Sequence, residues 1–233
     1  MNPRNGGDSG PKPVFSLIIP VLHEAELIND LLTDIENRLG SFDPEIVVVD
    51  GSEEADTLGS IKRERILKVK SKAHRGHQMN LGARISRGRI LVFLHADTIL
   101  PDGALQAIHG ALQDGFKAGA FTVTFFGSDS FLLKTLAWGH TLRSRITRIP
   151  YGDQVHFFDS DYFHSIGGYS EDLLMEDAEI MNRIKRRGDP IAILPLEVRT
   201  SARRFQENGM LRSLIRYSYL RTLDRLGASR ERW

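Results

Sequence analysis

The stretch Leu91-Val92-Phe93-Leu94-His95-Ala96-Asp97-Thr98 is a run of apolar, strand-forming residues that ends at a histidine and an aspartate. Because side chains alternate along an extended strand, we expect His95 and Asp97 to project to the same side. In an open α/β sheet, ligands collect outside the carboxyl ends of the strands, where a carboxylate can hold a cation against a phosphate. The stretch therefore predicts an α/β fold with a metal-binding edge.

The pattern on either side of this stretch predicts that strands and helices alternate along the chain. The predicted strands are 15–21, 46–50, 66–69, 90–94, 119–126, 154–158 and 191–198, and the predicted helices are 28–39, 78–87, 131–143 and 177–187. Such alternation is typical of a Rossmann-like α/β fold, a mostly parallel central sheet with helices on both faces.

Composition divides the chain into three parts. Residues 1–13 contain three glycines and three prolines, and such a segment cannot offset the entropy cost of ordering. We therefore expect a disordered lead at 1–13 and a folded domain at 14–204. From Arg199 onward the chain carries nine basic and three acidic residues, with apolar positions along one helical face. This pattern predicts a basic amphipathic helical tail at 205–233.

Bulk composition also narrows the functional class. The 233 residues include 31 basic and 30 acidic side chains, which argues against a nucleic-acid binder driven by global charge. No cysteine is present, so disulfides, thiolate metal ligands and cysteine nucleophiles are excluded. No apolar run reaches the roughly 20 residues that span a bilayer. We expect a cytoplasmic protein whose membrane contact, if any, is peripheral and made by the C-terminal tail.

Three residues near the first two strand ends are candidates for ligand binding. Pro20 lacks an amide donor and turns the chain out of the sheet, which leaves Glu24 near the following helix start. Asp50 ends the most apolar strand and could accept hydrogen bonds from a base or sugar. The structural alternatives are a helix-stabilising glutamate and an aspartate that only caps a turn.

Two further groups offer charges in the same half of the chain. Arg75 and Gly76 precede a predicted helix start, where a guanidinium and free amides could meet a base or a phosphate. Such pairs are also common in ordinary loops. One carboxylate and one imidazole, Asp97 and His95, suit Mg²⁺ or Mn²⁺ completed by diphosphate oxygens and water. The alternative is that Asp97 merely caps the turn toward Pro101.

Two clusters in the second half predict an acceptor side. Gly152, Asp153 and Gln154 offer a carboxylate and an amide that could hydrogen-bond hydroxyl groups. Glu176 and Asp177 stand among three carboxylates in four positions at a predicted helix N-terminus. Crowded like charges raise carboxylate pKa values, which would help one of them act as a general base, although the helix dipole alone explains some of the acidity.

Together these residues resemble the family 2 inverting glycosyltransferases with the GT-A fold, over about residues 14–204. The matching elements occur in the family's order, namely Pro20 and Glu24, Asp50-Gly51-Ser52, Arg75-Gly76, His95-Ala96-Asp97 and Glu176-Asp177. The segments 93–98, 151–154 and 201–204 look more narrowly like a compact, stand-alone bacterial subgroup, some members of which are linked with arsenosugar biosynthesis.

The resemblance implies a transferase that moves a sugar from a nucleotide-diphosphate sugar to an acceptor hydroxyl with inversion. The implied donor-site residues are Pro20, Glu24, Asp50, Arg75, His95, Arg203 and Arg204. Among them Asp50 and Arg75 would bind the nucleobase, and Asp97 would hold the metal. Asp177, with Glu176 beside it, would be the general base. A small-molecule acceptor is favoured.

Three other possibilities remain open from the sequence. A sugar nucleotidyltransferase would need a Gly-rich basic loop after the first strand, but residues 20–24 contain neither glycine nor lysine. A non-catalytic or membrane-peripheral nucleotide-sugar-binding protein would use the basic amphipathic tail. A homodimer is compatible with Phe131, Leu132 and Trp138, which could line either a core or a partner surface.

Overall fold

The structure is a computed structural model that describes residues 13–127, 131–173 and 175–203. The strands are β1 (Phe15–Val21), β2 (Glu45–Asp50), β3 (Ile66–Lys70), β4 (Ile90–Phe93), β5 (Thr98–Ile99), β6 (Ala118–Phe126), β7 (His156–Asp159) and β8 (Ile191–Ser201). The helices are α1 (Ile28–Arg38), α2 (Asp56–Ser60), α3 (Arg75–Ile85), α4 (Ala104–Gln113), α5 (Phe131–Thr147), α6 (Ser160–Ser165) and α7 (Glu176–Arg186).

The strands form one sheet in the order β3-β2-β1-β4-β7-β6-β8-β5. Strands β3, β2, β1 and β4 are parallel, so their carboxyl ends meet at one edge. Strand β7 runs antiparallel to both neighbours, and β5 runs antiparallel to β8. The sheet is therefore mixed, with its parallel part confined to the first half of the chain and to the β6–β8 pair. The expected α/β class is confirmed.

Each face of the sheet carries its own apolar core, because alternate side chains of each buried strand point to opposite faces. On one face, Leu17 and Ile19 pack with helices α1 and α4. On the other face, Ile18 packs with α3, α6 and α7. Helices therefore cover both faces, which explains why β1 and β2 are apolar at nearly every position.

Two predicted boundaries differ from the structure for local reasons. Helix α3 begins at Arg75 rather than residue 78, because the His74 side chain accepts a hydrogen bond from the His77 backbone and caps the helix. The strand predicted to start at residue 154 is β7, which begins at His156, since Gly152–Gln154 form a 3₁₀ turn. Helices α2, α4 and α6 and strand β5 were not predicted.

Several predictions concern residues that lie outside the described part of the chain. The disordered lead, apart from residue 13, and the helical tail at 205–233 both belong there. Among the described residues, no helix is both long and apolar enough to cross a membrane.

Candidate active site

The carboxyl ends of β1 and β2 are joined by a buried glutamine. The side-chain amide of Gln78 donates to the carbonyl oxygens of Val21 and Val49, both at 2.8 Å. These bonds hold the first half of α3 across the ends of both strands, in addition to the bond that the Val21 carbonyl accepts from the Gly51 amide at 2.9 Å. Helix α3 thereby brings its first residue, Arg75, to the edge at which ligands collect in α/β sheets.

Asp50 lies at this edge but its carboxylate is occupied by the protein. The side chain is fully buried and accepts hydrogen bonds from the backbone of Ser52 at 2.8 Å and of Leu58 at 3.3 Å. Pro20, in the neighbouring strand, is partly buried and pairs in register with Val49. Asp50 therefore shapes the turn after β2 in this structure, and a ligand would have to share its oxygens.

Arg75 reaches across to the two carboxylates that begin α7. Its Nε donates to Glu176 Oε1, and its Nη2 lies 3.5 Å from Asp177 Oδ2. Both carboxylates are almost completely buried, whereas the Arg75 side chain keeps 35% of its surface exposed. Residues separated by about a hundred positions in sequence thus form one charged cluster at the sheet edge. Gly76 allows the backbone at Ser170 to pack against the start of α3, since a Cβ there would lie 2.5 Å from the Ser170 carbonyl oxygen.

The electrostatics of this cluster favour a proton-accepting role. Burial and the neighbouring Asp177 raise the pKa of Glu176, although Arg75 opposes that rise. Burial of the Arg75 guanidinium disfavours its charge, but the two carboxylates more than compensate and raise its pKa further. The partly exposed Arg75 guanidinium therefore faces two buried carboxylates, and the raised pKa of Glu176 favours proton uptake at that residue.

Asp177 also forms a hydrogen bond with the turn at residues 151–154, which contains the predicted acceptor residues. Its Oδ2 accepts a hydrogen bond from the Gly152 amide at 2.8 Å, and its Oδ1 accepts one from the Ala178 amide at 2.7 Å. A Cβ on Gly152 would lie 3.2 Å from Asp177 Oδ2 and 3.3 Å from His95 Nε2. Gly152 is thus the point at which the His95 imidazole and the Asp177 carboxylate converge.

A small pocket beside Arg75 and Asp177 is lined in part by His156 and Tyr169, two residues that the sequence did not indicate. The Tyr169 hydroxyl lies 3.2 Å from His156 Nδ1, and His156 Nε2 lies 3.3 Å from the Pro150 carbonyl oxygen. A carbonyl can only accept, so Nε2 carries the proton and Nδ1 accepts from Tyr169. Burial lowers the pKa of His156 to about 4 and raises that of Tyr169 well above its usual range.

Helix α3 also fixes the position of Tyr169. The Asn80 side chain donates to the Tyr169 carbonyl oxygen at 2.9 Å and accepts from the Tyr169 amide at 2.9 Å. Asn80 carried no signal in the sequence, because its spacing of five residues from Arg75 does not place the two on one helical face. Its partner, 89 positions away, could not be read from the pattern.

The predicted metal residues sit in a turn and not on a strand. Strand β4 ends at Phe93, and the Thr98 amide donates to the His95 carbonyl oxygen at 3.1 Å, so the expected strand alternation of His95 and Asp97 does not apply. The Asp97 backbone carbonyl accepts from the Ser201 amide, which fixes the turn against β8. No group of three acidic, histidine or cysteine side chains able to hold a metal occurs in the described residues.

Asp97 nevertheless fits a sparse hard-cation site. Its half-buried carboxylate follows the end of β4, and Thr98 Oγ1 lies 3.4 Å from Asp97 Oδ1. Oxygen ligands of this kind suit Mg²⁺ or Mn²⁺ when phosphate oxygens and water complete the shell. His95, by contrast, lies against Gly152 and beside Asp177, on the side of the carboxylate cluster.

Two of the predicted donor residues pair with each other. Both carboxylate oxygens of Glu24 lie 3.1 Å from Arg203 Nη2, and the Glu24 amide donates to Thr57 Oγ1 at 3.0 Å. The Glu24 side chain is 13% exposed and that of Arg203 is 40% exposed. The pair lies where β8 ends beside the Asp97 turn. Arg204, which was predicted to act beside Arg203 in the donor site, lies outside the described residues.

The acceptor residues differ in how free they are to contact a ligand. Gln154 is fully buried, and its amide donates to the Phe121 carbonyl at 2.8 Å and to Ser144 Oγ at 3.0 Å. Contact with an acceptor hydroxyl would require these bonds to break. Asp153 lies 3.7 Å from His140 Nδ1, and although burial opposes ionisation, His140 together with His95 lowers the pKa of Asp153.

The fold is shared with solved structures of glycosyltransferases. TarS from S. aureus, in a crystal structure of TarS 1-349, matches 81% of this chain with a TM-score of 0.64 and 15% identity. The mannosyltransferase PcManGT from Pyrobaculum calidifontis, in complex with GDP-Man and Mn²⁺, matches 81% with a TM-score of 0.61 and 20% identity. The chain spans 60% and 57% of the length of these two structures. The expected GT-A fold is confirmed.

Sequence comparison assigns the family. No curated protein matches the chain. The family model for glycosyl transferase family 2 matches residues 16–176, which run from β1 to the first residue of α7 and so include most of the site. The chain belongs to glycosyl transferase family 2.

Proposed function

We propose that this protein transfers a sugar from a nucleotide-diphosphate sugar to an acceptor hydroxyl, with inversion at the anomeric carbon. The observation that carries the proposal is the buried pair Glu176 and Asp177, held by Arg75 and Gly152 at the carboxyl edge of the sheet. The family and the shared GT-A fold support sugar transfer from a nucleotide sugar.

Asp177 is the proposed general base. It is 6% exposed, and two backbone amides, those of Gly152 and Ala178, fix both of its oxygens. A base held in this way keeps its orientation while an acceptor hydroxyl approaches. The hydroxyl proton passes to an Asp177 oxygen, the hydroxyl oxygen attacks the anomeric carbon, and the nucleotide diphosphate leaves from the opposite face. Glu176 shares the buried negative charge.

The donor is proposed to lie along the ends of β1, β2 and β4. Asp50 would bind the nucleobase end, with Pro20 and Glu24 beside the ribose. Arg75, for which the resemblance implies a nucleobase role, contacts Glu176 and Asp177 and would therefore lie at the sugar end of the donor. The Glu24–Arg203 pair offers a basic group that can move toward a diphosphate, because the 40% exposed guanidinium can exchange one carboxylate for phosphate oxygens. Arg204, the next residue in the sequence, would contact the diphosphate together with Arg203.

A divalent cation, Mn²⁺ or Mg²⁺, is proposed as cofactor. Asp97 would hold it, with His95 as a second ligand if the cation is Mn²⁺, to which imidazole is better suited than to Mg²⁺. The bound cation would neutralise negative charge on the leaving diphosphate. The PcManGT structure, with GDP-Man and Mn²⁺, supports this proposal by analogy of fold.

The acceptor is proposed to approach from Gly152 and Asp153, whose carboxylate lies beside His140. Gln154 would serve by holding this turn in place through its bonds to Phe121 and Ser144. The resemblance of segments 93–98 and 151–154 to the subgroup linked with arsenosugar biosynthesis favours a small-molecule acceptor.

A thermal-shift panel tests the donor part of this proposal. UDP-, GDP- and dTDP-sugars are added with and without Mn²⁺ or Mg²⁺, and one of them should raise the melting temperature in a metal-dependent manner. Asp97→Asn should remove the metal-dependent part and leave the fold intact. No stabilisation by any nucleotide sugar would contradict the proposal. Stabilisation without release of nucleotide diphosphate, across a panel of hydroxyl acceptors, would favour a non-catalytic binding protein.

A further inference from the structure

Helix α5 presents an apolar stripe to the outside of the molecule. Trp138, Leu142 and Ile146 are spaced by four residues, which places them on one face of the helix. They are 65%, 39% and 72% exposed, so this face holds three of the large hydrophobic side chains exposed in the described structure. A contiguous apolar stripe of this kind is unusual on a soluble domain and marks an interaction surface.

The opposite face of α5 is fully used by the domain. Ala137 and Ser144 are buried, and Thr141 contacts the backbone of Val123 on β6. The Arg143 guanidinium stacks over the Tyr151 ring at 3.6 Å. The helix is therefore anchored by its inner side, and the outer stripe is not available for packing in the core.

Charge on and beside the stripe has one sign. Arg145 and Arg148 are exposed next to Leu142 and Ile146. The sequence from Phe131 to Gly152 contains no aspartate or glutamate. An apolar stripe with a tryptophan, on a helix that carries arginines and no acidic residue, has the chemistry of a helix that lies in the interface of an anionic bilayer.

The length and composition of α5 suit lying on a bilayer and not crossing it. The helix has 17 residues, fewer than the roughly 20 needed to span the hydrocarbon region. It also carries Arg143 and Arg145 within its last two turns. Tryptophan favours the headgroup level, where its ring is buried and its N–H finds a partner.

Other occupants of the stripe fit its charge less well. A second copy docked by the same face would bring Arg145 and Arg148 close to the same arginines of its mate. The C-terminal segment 204–233 carries seven arginines against three acidic residues, so it too would add positive charge to a positive surface. Of these three occupants, an anionic lipid surface is the one that supplies both apolar depth and negative charge.

We propose that the outer face of α5, formed by Trp138, Leu142, Arg145 and Ile146, docks the protein onto an anionic lipid bilayer. Arg148, one residue beyond the helix and 3.4 Å from the Ile191 carbonyl oxygen through Nη1, adds to its positive charge. The helix lies parallel to the membrane surface, with its apolar stripe at the acyl boundary and its arginines among the headgroups. The site does not depend on the proposed transferase activity, because it uses the side of α5 that faces away from Tyr151 and the charged cluster.

Vesicle co-sedimentation tests the surface in the full chain. Phosphatidylcholine vesicles are compared with vesicles that also contain about a quarter phosphatidylglycerol. The protein should pellet with the anionic vesicles, and Trp138→Ser with Ile146→Ser should weaken binding by about tenfold or more. Arg145→Gln with Arg148→Gln should reduce binding to anionic vesicles and flatten its salt dependence.

Matched variants separate this surface from others. Val14→Thr with Leu67→Thr alters two apolar residues exposed elsewhere, at 37% and 41%, and should pellet like the unaltered protein. Arg212→Gln with Arg216→Gln alters the C-terminal segment and should also pellet like the unaltered protein. Failure of the unaltered protein to pellet would overturn the proposal. Pelleting of Trp138→Ser with Ile146→Ser to the same extent as the unaltered protein would also overturn it. If the unaltered protein is a dimer and this double variant is a monomer, a second copy covers the stripe and the proposal is wrong.

Tryptophan fluorescence reports the environment of Trp138 directly and does not require a substitution in the stripe. The chain has two tryptophans, Trp138 and Trp233, so Trp233→Phe leaves Trp138 as the sole reporter. Its emission should shift to the blue on addition of anionic vesicles and be quenched by brominated lipid. An emission spectrum unchanged by vesicles would place Trp138 outside the bilayer and contradict the proposal.

Discussion

Asp177 Oδ2 accepts a 2.8 Å hydrogen bond from the backbone amide of Gly152, which joins the start of α7 to the turn before β7. The bond connects the proposed base with the proposed acceptor turn. An amide that donates to a carboxylate stabilises its charged form and fixes its direction. The Gly152 amide therefore determines both the orientation of the Asp177 carboxylate and how closely an acceptor at this turn can approach it.

Replacement of Gly152 by alanine should impair catalysis more than folding. The added Cβ would lie 3.2 Å from Asp177 Oδ2 and 3.3 Å from His95 Nε2, so one or both side chains must move by a few tenths of an ångström. We expect about a tenfold loss in kcat, since misplacement of a catalytic group by a full ångström costs about a hundredfold and this shift is smaller. Steady-state kinetics measures it.

Gly110→Ala on α4 is the matched control for this substitution. A Cβ there meets nothing within 4 Å, and alanine is favoured over glycine inside a helix by about 1 kcal/mol. The variant should be slightly more stable and equally active. An equal loss of activity in both glycine variants would remove the special role of Gly152.

Arg75→Gln should destabilise the protein by leaving two buried carboxylates without their cation. Breaking a buried ion pair costs about 3–5 kcal/mol, and the partial exposure of Arg75 reduces the expected loss to about 1–3 kcal/mol. Urea denaturation measures it. Arg186→Gln, on an exposed side chain 4.0 Å from Glu179, should change stability by no more than about 0.5 kcal/mol.

Arg75→Gln should also make the free energy of unfolding depend more steeply on pH than it does in the parent. Loss of Arg75 raises the pKa of Glu176 further above its unfolded value, so the folded state binds the proton more tightly. The free energy of unfolding should then fall as pH rises through that raised pKa, and the deficit relative to the parent should shrink in acid. Addition of Glu176→Gln should abolish this slope.

The sequence predicts the elements that depend on local pattern. Strand β1 begins and ends at the predicted residues, because apolar continuity and Pro20 mark it without help from distant contacts. Pro20, Asp50 and the turn with His95 and Asp97 lie at one edge, since β1, β2 and β4 are parallel and share their carboxyl end. The alternation expected for His95 and Asp97 was wrong, because β4 stops at Phe93 and a turn follows.

The partners of the site residues could not be read from the sequence. Arg75 contacts Glu176, and Glu24 contacts Arg203, across 101 and 179 positions. Such pairings follow from how helices cross the sheet, which periodicity does not encode. Helix α4 could have been predicted from the sequence, because its buried residues Ala104, Leu105, Ile108 and Ala111 recur at helical spacing.

His156 should make the protein lose stability in acid. Its folded pKa of about 4 lies below its usual value, so the unfolded state binds the proton more readily between about pH 6.5 and 4. Stability present above that range is lost as pH falls through it, by an amount on the order of 3 kcal/mol. His156→Gln should flatten this part of the stability profile. An unchanged profile would contradict a buried neutral histidine.

Arg203→Gln should weaken donor binding while leaving the chemical step nearly intact. The guanidinium pairs with Glu24 in this structure, and the proposal has it exchange that contact for diphosphate oxygens. We expect the KM for the nucleotide sugar to rise about tenfold, the value of one charge-assisted hydrogen bond. Arg63→Gln, which breaks an ion pair with Glu36 at the surface, should leave KM unchanged.

The central claim is that Asp177 is the base for sugar transfer, and Asp177→Asn tests it most directly. Asparagine keeps the size of the side chain and an oxygen that can accept from Gly152, but it cannot take a proton. With the nucleotide sugar identified by thermal shift, kcat should fall by about a hundredfold to ten-thousandfold while the melting-temperature shift caused by the donor is retained. Turnover at the rate of the unaltered protein, with donor binding retained, would contradict the account.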